Sequence, residues 1–170
     1  MKKIILLIVI SIVGVINATA QISNFSQSND LKECVNTLSI KLNSLQHDYD
    51  ILYCNYILSD VQLNLKDFMN DLNTRANAIL INCYNGRFDF DLYYAYNSSY
   101  NSSLELYDSM KERTESTKAL VTLKIQTSNF TDDEIKLLRQ SCKLVDDCLT
   151  SAQSSLNYIK VVLDMYKSVK

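Results

Sequence analysis

The chain of 170 residues contains no proline, no tryptophan, one histidine and two glycines. The absence of proline removes the commonest helix breaker and leaves long helices uninterrupted. Of the two glycines, Gly14 lies in the apolar amino-terminal stretch, so Gly86 alone serves everything after it. One glycine cannot build a glycine-rich phosphate-cradling loop. His47 is the sole histidine, and neither a metal nor a cofactor is expected. Beyond residue 20, apolar runs such as Ala78 to Ile81 are far too short to cross a bilayer.

The first twenty residues read as an export signal. Lys2 and Lys3 form a basic start, Ile4 to Ile16 an apolar stretch, and Ala18, Thr19, Ala20 a small-x-small cleavage pattern that starts the mature chain at Gln21. No cysteine follows the site to carry the acyl group of a lipoprotein. The competing reading is an uncleaved anchor, since the segment approaches the roughly 20 residues a span needs. Cleavage after Ala20 implies a periplasmic or extracellular protein with no membrane segment thereafter. Removing Lys2 and Lys3 from 17 basic residues leaves 15 against 19 acidic ones, a formal charge of −4 with no basic cluster. Such a balance argues against a nucleic-acid partner.

Residues 21–170 are of a size for a single domain. Two apolar stripes step by alternating threes and fours, the spacing of a helix face packed along another helix. The first runs Leu31, Val35, Leu38, Leu42, Leu45, Tyr49, Leu52, Tyr56; the second runs Ile135, Leu138, Cys142, Val145, Leu149, Ala152, Leu156, Ile159, Leu163, Tyr166. Between them a stripe restarts on another phase as Leu58, Val61, Leu65, Phe68, Leu72, Ala76, Ile79. That slip fits either a turn near Ser59, where Ser59 and Gln62 resemble a capping box, or one long bent helix from Asn29 to Cys83. The hairpin is slightly favoured.

Asn85 and Gly86 stop the helix, since both tolerate the left-handed conformation. A further helix is expected from about Asp91 to Ile125, and a last one from a capping box, Thr131 with Glu134, to about Lys167. The expected fold is therefore an all-α antiparallel bundle of three or four long amphipathic helices.

Five cysteines in an exported chain make disulfides an expectation, with at least one thiol left over. A hairpin about residues 58 and 59 places Cys34 opposite Cys83. A four-helix arrangement brings Cys54 near Cys142, the weaker pair. The competing reading is five buried thiols acting as small apolar residues. His47 with a cysteine nucleophile is the sole catalytic candidate, and nothing in the sequence lowers a thiol pKa beside it. An enzyme is not expected. The stretch Phe88 to Tyr107 is rich in tyrosine, and Tyr93, Tyr94, Tyr96, Tyr100 and Tyr107 form a candidate partner surface, with filling of the core as the alternative.

A leader ending in Ala-Gln, together with Asn129, Phe130, Thr131, Asp132, Asp133, Glu134 opening a long amphipathic helix, resembles exported helical proteins of Bacteroidetes-type conjugative systems. These are similar in role to minor pilus components of type IV secretion. The resemblance covers the leader and about the last 40 residues, and it carries over no functional residue because the motif is a helix cap. It implies a structural or adaptor part of an envelope assembly whose partner is another envelope protein. The alternative is a secreted effector or inhibitor that binds a host or competitor protein through the tyrosine-rich stretch. Self-association into a homo-oligomer fits either.

Overall fold

The computed structural model describes residues 25–86 and 88–169, with side chains from Leu31 onward. The expected signal peptide and its cleavage site lie outside these residues. Among the described residues there are three helices: α1 (Phe25–Tyr84), α2 (Phe90–Thr127) and α3 (Asp132–Ser168). The described residues divide into two units between Gln46 and His47, and the packed bundle belongs to the second unit.

The turn expected near Ser59 does not form. Residues on both sides of it are helical, α1 runs unbroken to Tyr84, and the described residues form a bundle of three helices rather than four. Nothing in the sequence between Tyr56 and Val61 breaks a helix, and the resemblance of Ser59 and Gln62 to a capping box is not enough to start a new one. Helix α1 ends where Gly86 adopts φ 61°, a left-handed value that a side chain would strain. Asp89 then caps α2, accepting from the Leu92 amide at 2.9 Å. At α3 the Thr131 hydroxyl accepts from the Glu134 amide while the Glu134 carboxylate accepts from the Thr131 amide, so both halves of the expected capping box are present.

Short connections make neighbouring helices antiparallel, and the cross-links confirm the direction. Lys124 reaches back to Asp50, Arg113 to Asp60, and Arg75 to Ser103, so position falls along α2 as it rises along α1. Lys118 joins α2 to Asp146 of α3 at 2.6 Å.

The core on α1 is the face of Cys54, Leu58, Val61, Leu65, Phe68, Leu72, Ala76 and Ile79. On α3 it is Leu138, Val145, Ala152, Leu156, Ile159, Val162, Leu163 and Tyr166. The α3 stripe thus packs as its spacing implies. The opening stripe of α1 does not: Tyr49, Leu52 and Tyr56 are exposed while Asp50, Cys54 and Leu58 are buried. The two sets differ by about two residues, or about 200° around a helix, which puts them on nearly opposite faces.

Candidate functional site

The five tyrosines expected as a partner surface divide by position on α2. Tyr107 is buried, and Tyr93, Tyr96 and Tyr100 are half-buried against the core. Of the five, Tyr94 alone is exposed, and its ring packs on Phe90 at 4.8 Å. Tyr96 directly, and Tyr93 through Phe88, gather around the end of α3. Tyr166, fully buried, lies 5.2 Å from Phe88 and 6.3 Å from Tyr96, ring to ring, and its hydroxyl accepts from the Asp89 amide at 3.0 Å. Asn82 donates to the Tyr96 hydroxyl at 3.1 Å. This is an aromatic plug at one end of the bundle, in which most rings are already in contact and the buried hydroxyl is satisfied.

The opposite end is polar. Asp50 is 4% exposed, and its carboxylate accepts from Lys124 Nζ and from the Ser128 hydroxyl, each at 2.7 Å. The bond to Asp50 is the main reason that the Lys124 ammonium titrates above its ordinary range. Close by, His47 Nδ1 lies 3.3 Å from Asp48 Oδ1, and Nε2 lies 3.1 Å from Glu134 Oε2. The imidazole also meets Phe130 edge to face at 5.8 Å. These bonds, Asp48 first, raise the His47 pKa above the ordinary value. Thr131, through its amide and then its hydroxyl, holds Glu134 below the ordinary carboxylate range. His47 therefore ties α1 to the cap of α3. Sequence reasoning placed it beside the stripe and missed Glu134, which is 87 positions away and signalled only by its capping role.

No disulfide forms among the described cysteines: Cys34, Cys54, Cys83, Cys142 and Cys148 are all free thiols. The pairing of Cys34 with Cys83 depended on the turn near Ser59, and without that turn both lie on the single helix α1. Cys54 and Cys142 both lie in the bundle unit and a charge on Cys142 is felt at Cys54, but they are not bonded. Burial pushes the thiols of Cys54, Cys83 and Cys142 up, leaving little thiolate at neutral pH.

Among the described residues, a row of exposed apolar side chains lies in the first unit. Leu31, Val35, Leu38, Leu42 and Leu45 are between 39% and 66% exposed and recur at helical spacing. In the second unit Tyr49, Leu52 and Tyr56 are exposed as well, at 48%, 68% and 70%. Single exposed leucines are ordinary on a protein surface, whereas a periodic row of them marks an interaction face. Among the described residues, no helix is long and apolar enough to cross a membrane. Compared with protein-family models, curated proteins and solved structures, the chain matches none.

Proposed function

We propose that this chain is an exported, non-enzymatic helical protein that works through protein contacts, as a structural or adaptor component of a cell-envelope assembly such as a conjugative transfer apparatus. The observation that carries the reading is the row Leu31, Val35, Leu38, Leu42, Leu45, an apolar helix face left in solvent. A helix maintains such a face against water when another surface covers it in the working state. The raised thiol pKa values work against a cysteine nucleophile and so favour contact over chemistry. The leader pattern supports export, and the resemblance at the α3 cap supports the envelope assembly.

The test is affinity capture from the envelope fraction of the source cell, with the wild-type chain and with Leu38→Asp/Leu42→Asp as bait. Both substitutions fall on the exposed face and leave the bundle core untouched. A defined envelope protein retained by the wild type and lost by the variant supports the reading; equal recovery by both baits overturns it.

A further inference from the structure

The outward charges of the bundle are sorted by sign. On α3, Lys136, Arg139 and Lys143 follow one another by steps of three and four, so they share one face of the helix, and all three are exposed. On α2, Glu105, Asp108, Glu112 and Glu115 follow by steps of three, four and three, and all four are exposed. None of the seven forms an ion pair among the described residues. Charges turned toward a neighbouring helix are matched instead: Arg113 reaches Asp60, Lys118 reaches Asp146 and Lys124 reaches Asp50. Both rows belong to the second unit.

Within one chain the two rows cannot meet. Lys118 bonded to Asp146 fixes the antiparallel register of α2 and α3, so Arg139, seven residues before Asp146, is level with Ile125, seven after Lys118. Glu112 stands thirteen residues from that level. At 1.5 Å per residue the gap is about 20 Å along the bundle, about twice the distance over which exposed charges act at 0.1 M salt. Each row is left without a counterpart in its own chain.

We propose that the cationic row of α3 receives the anionic row of α2 from a second copy of this chain. The steps of the two rows match. With the two helices antiparallel, Lys136, Arg139 and Lys143 oppose the second copy's Glu115, Glu112 and Asp108; with the helices parallel, they oppose its Glu105, Asp108 and Glu112. Asp108 and Glu112 are engaged in either direction. The contact is heterologous, since it joins two different surfaces, and each copy keeps one unused row after the first contact, so further copies add head to tail. Both rows are polar and solvated, which makes each pair weak and the assembly sensitive to salt.

This inference stands apart from the apolar row of the first unit, and its test keeps the two separate. Light scattering of the purified exported chain across a concentration series at low ionic strength should show a mass that grows beyond two copies, and added salt should reverse the growth. Lys136→Glu/Arg139→Glu/Lys143→Glu and Asp108→Lys/Glu112→Lys each set like charges opposite one another, and each should weaken self-association roughly hundredfold. Mixed together, the two variants bring the intact anionic row of one to the intact cationic row of the other and should assemble again. Helix content and thermal melting of each variant establish that the fold is intact. A monomer at every concentration overturns the proposal, and so do a mass that stops at two copies, variants that assemble as the wild type does, and variants that stay monomeric when mixed. Leu38→Asp/Leu42→Asp, which keeps both charged rows, should assemble like the wild type; loss of assembly in that variant overturns the proposal while leaving the apolar row as a contact surface.

Discussion

Lys124 Nζ donates to Asp50 Oδ1 at 2.7 Å, joining the end of α2 to a carboxylate that is almost wholly buried on α1. Ser128, the residue that ends α2, donates to the other carboxylate oxygen. One acidic side chain thus closes a helix end and fixes the α1/α2 register. Breaking a buried pair by removing one member costs more than the pair contributes, because the other charge is left without its partner.

Lys124→Met is therefore expected to destabilise the bundle by about 2–4 kcal/mol, and Asp50→Asn/Lys124→Met by less than that single change. Denaturant unfolding of the three chains checks it. A cost for Lys124→Met within about 0.5 kcal/mol of zero, the scale of ordinary surface substitutions, contradicts the buried pair.

The corner at His47 predicts a pH optimum. His47 has a folded pKa above the ordinary 6.5, so its contribution is complete below 6.5 and fades as pH rises through the raised value. Glu134 has a folded pKa below the ordinary 4.5, so its contribution is complete above 4.5 and is lost as pH falls through the lowered value. The corner is strongest between these two ordinary values. Melting temperatures of wild type and His47→Ala should differ most in that window and converge above it; a difference constant between about pH 5 and pH 8 argues that the imidazolium is not held there.

The free cysteines predict indifference to reductant. Thermal melting with and without dithiothreitol should coincide, and a thiol reagent under denaturing, non-reducing conditions should count five thiols per chain. In the native state Cys34, exposed, should react well before Cys54, which is fully buried. A melting temperature that falls on reduction points to a disulfide in the oxidised protein.

The aromatic plug predicts unequal tyrosines. Tyr166→Ala empties a fully buried site and should cost about 3–5 kcal/mol, while Tyr166→Phe, which removes the acceptor for the Asp89 amide, should cost about 1 kcal/mol. Tyr94→Ala, on an exposed ring, should cost under about 1 kcal/mol. Equal costs at positions 94 and 166 are incompatible with this packing.

The helix ends were legible in the sequence because their causes are local. Thr131 with Glu134, and Asn85 with Gly86, act through hydrogen bonds and backbone angles within a few residues, so spacing alone located the start of α3 and the stop of α1. The all-helical class followed equally from the lack of proline and the period of the apolar residues. The tyrosine-rich stretch was ambiguous for a physical reason: a large amphipathic ring suits a core and an interface alike, and only the position of Tyr166 shows where Tyr96 and Phe88 are spent.

By itself the sequence determined that this protein is helical, where its caps lie and that its residues form more than one apolar stripe. Only the tertiary structure decided that α1 passes Ser59 without a turn, that the stripe of Tyr49, Leu52 and Tyr56 faces water while that of Cys54 and Leu58 faces the core, and that His47 meets Glu134. Periodicity reports which residues share a face of a helix; which face is covered depends on competition among distant segments for the same apolar surface, and that competition is resolved only when the helices pack.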